Sequence, residues 1–428
     1  MSNKTICIGT RDIASFFKDF RRGFNDLGWN VITVVINNNS SPIIKKDQYD
    51  YVLHLDYPVF DKDVKQNIHQ SFSKKILEKI HSRIGRNLTA SYSKEIFNKI
   101  VKQADYFLFL WNSFDYDFND YEILNKQKKK TAVVFCGDDV RWYYSMKQEF
   151  EQSGLKSYSF GNEYDYSVKS LEARLRRIRF AEKYADVIYS RREQAQLQLR
   201  PFFHVQAMVY LDDYKVSNEQ RLSNPVVVHA PSHRSAKGTQ FVLEAFDKLK
   251  NEGIEFTPIL LENKTHEEAV KIYADADILI DQLFVPGGGK IVAEALACGT
   301  IAVGLMAYRV YDQGISYDEC PVVDVNEDTL HEKLKELILD YPRRVELAKR
   351  GRPYAEKYLD VRNFCRQFAE KFEGNKHPGN YSPTFFRNEF VPESPESVGI
   401  YNRYTSFVSH CKWYNETIKP GERNGLLF

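Results

Sequence analysis

Apolar residues follow two alternating spacings along most of this chain. Short runs that are almost wholly apolar, such as Tyr106–Trp111, predict buried strands. Between these runs, apolar residues recur at helical spacing, as Phe16, Phe20 and Phe24 do. In the first half the predicted strands are Thr5–Thr10, Asn30–Ile36, Tyr51–Leu55, Tyr106–Trp111, Ala132–Cys136 and Asp186–Ser190, and the predicted helices are Ile13–Leu27, 71–103 and Tyr166–Lys183.

A polar segment interrupts this alternation near Asp212. It reads DDYKVSNEQRLSNP, shows no apolar period and ends at Pro225, as a linker between domains does. The alternation then restarts. The predicted strands of the second half are Val226–Ala230, Thr257–Leu261, Asp277–Phe284, Ile301–Gly304 and Val322–Val325, and the predicted helices are Thr239–Lys250, His266–Ala274, Lys290–Ala297 and a helical region over 328–372.

Strands that alternate with helices predict parallel sheets covered by helices on both faces. We therefore expect an α/β protein with two doubly wound, Rossmann-like domains that face a cleft, with ligands at the carboxyl ends of the strands. The expected divisions are an N-terminal domain over 1–211, a linker over 212–224, a C-terminal domain over 225–374 and an extension over 375–428. The extension either packs back on the N-terminal domain or lies loosely.

Composition narrows the class of protein without naming a function. Of 428 residues, 43% are hydrophobic and 28% charged, as in ordinary globular proteins, and the net charge of +2 gives no reason to expect nucleic acid as a partner. The six cysteines form no C-x-x-C pair, so a structural zinc site is not indicated. The N-terminus has no signal-peptide pattern and no apolar run is long enough to span a bilayer, so we expect a cytoplasmic protein.

The run PGGGKIVAEALACGT carries the strongest functional pattern. Gly287, Gly288 and Gly289 join a predicted strand to a helix that begins at Lys290. Glycines let the backbone approach a ligand closely, and the N–H groups at a helix start bind phosphate. Glu294, one turn into the helix, could accept hydrogen bonds from the hydroxyl pair of a sugar. The alternative is a tight turn without a ligand.

A second candidate lies in the loop HAPSHRSAKGT. Arg234 and Lys237 stand just before a helix predicted to begin at Thr239. Two cations beside a helix start would bind a diphosphate and stabilise it as a leaving group, without a metal ion or other cofactor. The alternative is a solvated basic loop.

The order PSHRSAKGT, EEAVKIYADADILIDQL and PGGGKIVAEALACGT over 225–372 resembles the donor-binding domain of GT-B glycosyltransferases, in the large retaining family 4. The resemblance implies a retaining glycosyltransferase. Such an enzyme moves a sugar from a nucleoside-diphosphate sugar to a hydroxyl of a glycan or lipid-linked acceptor, as in bacterial surface polysaccharide synthesis. Donor would bind the C-terminal domain and acceptor the N-terminal domain, with no nucleic acid involved.

The resemblance also assigns roles to single residues. Lys237 and Arg234 match the basic pair that holds the donor diphosphate, and Ser232 and His233 could share the role of Arg234. Glu294 matches the second glutamate of the family's E-x7-E element, which binds ribose. The first glutamate, which touches the donor sugar, is replaced here by Pro286. The donor-binding residues are therefore Ser232, Gly287, Gly288, Gly289, Lys290 and Glu294.

In the N-terminal half, VVFCGDDVRWYY resembles the family's segment that faces the donor sugar. Asp138 could bind donor or acceptor hydroxyls, and with Lys237 and Arg234 it is one of the expected catalytic residues. Arg141 could pair with Asp138 or Asp139. The alternative is a helix-capping aspartate with a neighbouring salt bridge. The end of the first strand matches the loop on the acceptor side, or is a simple turn. The expected acceptor-side residues are Gly9, Thr10, Arg11, Gly137, Asp139 and Arg141.

Other patterns leave alternatives open. D-x-D pairs occur at 61/63, 115/117 and 275/277, and for Asp275 and Asp277 we expect capping rather than a metal ion. The basic, amphipathic run over 73–86 fits either an ordinary surface helix or peripheral contact with the inner face of the plasma membrane. A nucleotide-sugar epimerase, a phosphorylase or a non-catalytic nucleotide-sugar binder could use the same architecture.

Overall fold

Two parallel sheets form the framework of the protein. The computed structural model describes residues 4–37, 48–54, 94–114, 118–156, 167–216, 219–308, 310–311, 319–373, 379–392 and 394–406. The basic run over 73–86 and the D-x-D pairs at 61/63 and 115/117 lie outside these residues.

The N-terminal sheet has seven described strands in the order β3-β2-β1-β4-β5-β6-β7, all parallel. Its strands are largely buried on both faces, as their nearly continuous apolar sequences predict. The strands are β1 Thr5–Thr10, β2 Asn30–Asn37, β3 Tyr51–His54, β4 Tyr106–Leu110, β5 Lys130–Val134, β6 Val187–Ser190 and β7 Phe203–His204.

The C-terminal sheet has five described strands in the order β12-β11-β10-β8-β9, also parallel. In this order the first strand of the domain lies between the second and the third, which creates the switch point typical of nucleotide-binding sheets. The strands are β8 Val226–His229, β9 Thr257–Leu260, β10 Ile278–Ile280, β11 Ile301–Gly304 and β12 Val323–Asp324.

Helices connect these strands, so the predicted α/β class with two doubly wound domains is confirmed. The α-helices are Phe16–Asp26, 94–103, Asn119–Lys126, Tyr143–Gln152, Val168–Tyr184, Arg234–Lys237, Thr239–Asn251, His266–Asp275, Lys290–Cys298, Leu330–Leu339, Tyr341–Tyr354, Val361–Glu373, Phe385–Asn388 and Pro395–Ser406.

One predicted strand, Asp277–Phe284, is much shorter than expected. The strand ends at Ile280, and the carboxylate of the next residue, Asp281, accepts a hydrogen bond from the Gly289 N–H at the start of a later helix. At the other end, Asp277 accepts hydrogen bonds from the backbone N–H groups of Arg221 and Val226, at 2.8 Å each. Asp277 is thus a capping residue, and it ties the end of the linker to the C-terminal sheet.

The helix Val361–Glu373 belongs to the N-terminal half in space. Phe364 and Phe368 lie in the core formed under β1, β4 and β6, and a Cβ atom on Gly23 would come within 2.8 Å of the Cys365 sulfur. The absence of a side chain at Gly23 therefore allows two helices to approach closely. We expected the C-terminal domain to extend over 225–374. In the structure the last helix of that range instead covers the apolar face of the N-terminal sheet.

The chain thus crosses between the two sheets twice, and the crossings lie side by side. Val209 pairs with Asp360 in a parallel bridge. The Val209 N–H donates to the Leu359 carbonyl at 2.9 Å, and the Val361 N–H donates to the Val209 carbonyl at 3.0 Å.

The described part of the extension packs on the N-terminal half. Phe386, Phe390 and Ile400 are buried in the core that contains Phe202. The backbone of Tyr381 pairs with that of Phe202. Among the described residues, no helix has the length and apolar character needed to cross a bilayer.

If the helix Val361–Glu373 is part of the N-terminal core, Phe368→Ala will lower the free energy of unfolding by roughly 3–5 kcal/mol, since it leaves a large cavity. Urea unfolding followed by circular dichroism measures this. The control Leu339→Ala removes a side chain that is 64% exposed, and should change stability by less than about 0.5 kcal/mol. Equal effects of both substitutions would contradict the packing described.

Candidate functional site

The carboxyl ends of the two sheets meet at one cleft. Arg191, which follows β6, donates from Nη1 to the Gly288 carbonyl at 2.9 Å. Gly287 lies so close to the next turn of the N-terminal domain that a Cβ atom there would overlap the side chains of Arg191 and Glu193. The glycine loop is thus the part of the C-terminal domain that touches the carboxyl edge of the N-terminal sheet.

The three glycines shape a strand-to-helix turn that other residues would strain. Gly287 and Gly288 have φ angles of 96° and 59°, in the left-handed region that favours glycine. Gly289 is the residue before the helix Lys290–Cys298. Among the described residues, the backbone N–H groups of Gly288, Lys290 and Ile291 have no hydrogen-bond acceptor. Three unpaired N–H groups at a helix start favour an anion.

Lys237 reaches this helix start through a buried carboxylate. Its ammonium donates to Asp281 Oδ1 at 2.7 Å and to Gln282 Oε1 at 3.1 Å. The other oxygen of Asp281, Oδ2, accepts from the Gly289 N–H at 2.7 Å. Asp281 is 2% exposed. An ammonium has three N–H donors, so one remains for a ligand beside the loop.

Arg234 and Ser232, which we expected to bind the donor diphosphate, are both exposed at the protein surface. The Arg234 guanidinium forms a two-point pair with Glu262, with Nε 2.7 Å from Oε1 and Nη2 2.5 Å from Oε2. Glu262 raises the pKa of Arg234, and the Arg234 side chain is 58% exposed. Its charge is therefore largely compensated within the protein. Ser232 lies at the surface of the same loop.

Glu294 is buried on the second turn of the helix that follows the glycine loop. Tyr214 donates its hydroxyl to Oε1 at 3.1 Å, and His266 Nε2 lies 2.8 Å from the same oxygen. Burial and the nearby carboxylate raise the pKa of Tyr214, so its hydroxyl stays a donor. Within the described residues Oε2 has no partner, and the exposed His266 side chain borders it.

Lys290 points across the cleft instead of towards the glycine loop. Its ammonium donates at 2.6 Å both to the Ala14 carbonyl and to Asp19 Oδ2 in the N-terminal domain. Both side chains of the pair are less than a tenth exposed. The expected donor-binding role of Lys290 is therefore not supported by its position, because its charge is used to join the two domains.

Asp138 lies at the cleft, half-exposed. Its Oδ1 accepts from the Tyr143 hydroxyl at 3.0 Å and lies 3.4 Å from Arg141 Nη1. Of the two pairings expected for Arg141, the structure has that with Asp138. The Arg141 guanidinium packs over Gly137, where an added Cβ atom would lie 3.2 Å from it. This arrangement leaves Asp138 free to meet a hydroxyl-bearing ligand through Oδ2.

Asp139 shapes the loop from inside. It is fully buried, and its carboxylate accepts hydrogen bonds from the backbone N–H groups of Cys136 at 3.0 Å and Gly137 at 2.6 Å. Burial, the dominant cause, raises the pKa of Asp139. Asp139 therefore holds its own loop and does not cap the helix Tyr143–Gln152. Its buried side chain does not support the expected acceptor-side role.

The loop after β1 has mixed exposure. Thr10 is buried and its hydroxyl donates to the Asn112 carbonyl at 2.9 Å, so it holds two loops together. Gly9 packs against Val34 inside the sheet. Arg11 is exposed, with its guanidinium 4.2 Å from the centre of the Trp111 ring. Of these three, Arg11 alone presents a side chain to the cleft.

Sequence reasoning missed Asp281, Arg191 and Glu193. All three follow the carboxyl end of a parallel strand, which is where ligands meet such sheets. Asp281 directly follows β10 and Arg191 directly follows β6, so the ends of these strands could have indicated both residues from the sequence. No group of three or more potential metal ligands occurs among the described residues.

No family model matches the sequence, and no curated protein matches it. Solved structures do match. Sucrose-phosphate synthase from Thermosynechococcus elongatus has a TM-score of 0.55 and 13% identity, over 87% of this chain and 98% of its own. A structure of trehalose-6-phosphate synthase has a TM-score of 0.50 and 9% identity, over 87% and 99%. An Escherichia coli structure described as bound with UDP-2-fluoro glucose has the same TM-score, identity and coverage. The expected GT-B fold is confirmed.

The Lys290–Asp19 pair makes a testable contribution to stability. Lys290→Met leaves a buried carboxylate without its cation and should cost roughly 3 kcal/mol near neutral pH. Unfolding in urea measures this, and the double variant Asp19→Asn/Lys290→Met should recover most of the loss.

The loss should also depend on pH. Burial raises the pKa of Asp19, and Lys290 opposes that rise. Without Lys290 the folded state binds a proton more tightly than the unfolded state, so stability falls as pH rises through the folded pKa. The deficit of Lys290→Met should therefore shrink from about pH 8 to about pH 5. A deficit that does not change with pH would contradict the assignment.

Proposed function

We propose that this protein is a retaining glycosyltransferase that moves a sugar from a nucleoside-diphosphate sugar to a hydroxyl of a glycan or lipid-linked acceptor. The donor diphosphate binds at the start of the helix Lys290–Cys298. The observation that carries the proposal is the convergence there of unpaired N–H groups from Gly288, Lys290 and Ile291 with the ammonium of Lys237.

Asp281 positions the donors of this site. Its carboxylate holds the Lys237 ammonium and the Gly289 N–H, at 2.7 Å each, beside the start of the helix. Because that carboxylate is itself negative, the phosphate would bind on the far side of the ammonium, through the third Lys237 proton and the unpaired N–H groups. These donors stabilise charge that develops on the departing diphosphate without rearrangement, which is the usual source of large rate effects.

Glu294 holds the pentose in this proposal. Its Oε2 is open to a ribose hydroxyl, while the Tyr214 hydroxyl fixes the other oxygen. Because Glu294 lies one turn beyond the helix start, a nucleotide whose diphosphate is at Gly289 places its ribose near Glu294. Arg234 contributes less than Lys237, since Glu262 compensates its charge.

The acceptor hydroxyl would enter from the N-terminal domain beside Asp138 and Arg11. In this proposal the acceptor hydroxyl attacks on the face that the diphosphate leaves, and the diphosphate itself accepts the proton. The trehalose-6-phosphate synthase that shares this fold catalyses glycosyltransfer with retention, which agrees with this route. We extend the proposal to metal-independent action in the cytoplasm, at the inner face of the membrane, in surface polysaccharide synthesis.

Nucleotide binding gives the first test. In a thermal-shift screen with UDP, GDP, dTDP, ADP and CMP, we expect one nucleoside diphosphate to stabilise the protein, and EDTA to leave that shift unchanged. Stabilisation that EDTA abolishes would overturn metal-independent binding. The absence of any shift would overturn the donor site.

Transfer activity gives the second test. Lys237→Ala should lower kcat by about 10²-fold or more, because it removes a cation from the developing diphosphate charge. Glu294→Ala should instead raise KM for the donor, by about tenfold, through loss of a charge-assisted hydrogen bond.

The control is Lys333→Ala, which removes an exposed lysine paired with Glu336 at 3.0 Å on the helix Leu330–Leu339. It should leave kcat and KM unchanged. Circular dichroism and the melting temperature establish that each variant folds. A folded Lys237→Ala variant with wild-type kcat, together with a folded Glu294→Ala variant with wild-type KM for the donor, would refute the assignment.

A further inference from the structure

Glu193 places a buried carboxylate at the contact between the two domains. It lies in the short turn Arg192–Gln194, which follows β6 at the carboxyl edge of the N-terminal sheet. Its side chain is 0% exposed, and its Oε1 lies 2.5 Å from Arg191 Nε in an ion pair. Arg141 is close enough for the charge of Glu193 to help raise the pKa of Arg141.

The hydrogen-bonding capacity of Glu193 is unused. Among the described residues neither of its oxygens accepts a hydrogen bond, and Arg191 Nε and Arg141 Nε donate none. The ion pair with Arg191 is close but not aligned for a hydrogen bond. A carboxylate can accept about four hydrogen bonds, and burying it without them is costly. Unpaired polar atoms of this kind in a folded protein call for an explanation.

A nearby glutamate shows that the surroundings can satisfy such a group. Glu149 is half-buried, and its Oε2 accepts from the Tyr311 hydroxyl at 2.5 Å and from Gln196 Nε2 at 2.7 Å. The charge of Glu193 contributes to the raised pKa of Glu149, whose main cause is burial. The two carboxylates therefore share one environment but differ in their partners, which makes Glu149 a matched reference.

The unpaired carboxylate faces the glycine loop. A Cβ atom on Gly287 would overlap Glu193, so the loop approaches it as closely as a chain without a side chain can. The preceding residue, Pro286, has neither a polar side chain nor a backbone N–H. The Gly287 N–H donates to the Leu305 carbonyl instead, so these two residues give the buried Glu193 carboxylate no hydrogen-bond donor.

The proposed donor orientation brings the sugar to this point. With ribose at Glu294 and the diphosphate at the helix start, the sugar extends from the other end of the diphosphate, past Gly287 and towards the N-terminal domain. The cleft has to open by about the thickness of a sugar ring for the sugar to enter. The opening exposes Glu193, and the sugar supplies the missing donors.

We propose that Glu193 accepts hydrogen bonds from hydroxyl groups of the transferred sugar and so determines which donor sugar this protein takes. The inference rests on the proposed function and adds to it a specificity-determining residue from the opposite domain. Both oxygens of the carboxylate are available, so neighbouring hydroxyls of one ring fit better than a single hydroxyl.

The test compares nucleotides with and without their sugar, by calorimetry on the full chain. The probe pairs are UDP and UDP-glucose, GDP and GDP-mannose, dTDP and dTDP-glucose, and ADP and ADP-glucose. Glu193→Gln should leave the affinity for the free nucleotide within about twofold. It should lower the affinity for the sugar nucleotide by about tenfold or more, as expected for loss of a hydrogen bond to a charged group.

Two further variants complete the comparison. Glu149→Gln, which removes a negative charge from the same neighbourhood, should leave the ratio of the two affinities unchanged. Glu193→Asp, which keeps the charge and shortens the side chain, should fold even if Glu193→Gln does not, and should lower the same ratio.

The outcomes separate the inference from the function it rests on. If the wild type binds a nucleotide and Glu193→Gln or Glu193→Asp keeps the wild-type ratio of affinities, Glu193 has no part in sugar recognition and the inference fails alone. A variant that loses affinity for the free nucleotide to the same extent also overturns it. If the wild type binds no nucleotide in the panel, the proposed function fails, and the inference fails with it.

Discussion

The carboxylate of Asp281 organises the donor side of the cleft. It ends β10, holds the Lys237 ammonium and caps the start of the helix after the glycine loop, with both hydrogen bonds at 2.7 Å. Charge-assisted hydrogen bonds of this kind are short and strong, and removing one partner of a buried pair typically costs roughly 3–5 kcal/mol. The position of the lysine and the shape of the loop therefore depend on the same side chain.

Contacts between the domains impose the second constraint. Lys290 reaches Asp19, and Arg191 reaches the Gly288 carbonyl, so the glycine loop is held from the opposite side of the cleft. These contacts link closure of the cleft to the geometry of the loop. A ligand that enters between the domains must replace some of them, and its own polar groups have to compensate for what is lost.

Local patterns in the sequence predicted the fold well, because strand and helix periods and a glycine run are decided by neighbours along the chain. The turn at Gly287–Gly289 follows directly from them. The direction in which individual side chains point was predicted less well. Lys290 was expected at the donor but pairs with Asp19, 271 positions away, and Asp139 turned inward to its own loop. Residue type at a given spacing specifies chemistry, whereas the partner that captures a side chain is set by packing that no local pattern records.

The two hydrogen-bonded crossings near Val209 and Asp360 have a mechanical consequence. A single tether allows rotation about any axis, but two adjacent segments joined by backbone hydrogen bonds behave as a flat ribbon. A ribbon bends readily in one direction and resists torsion. Opening of the cleft therefore bends both segments together, because their hydrogen bonds keep them side by side.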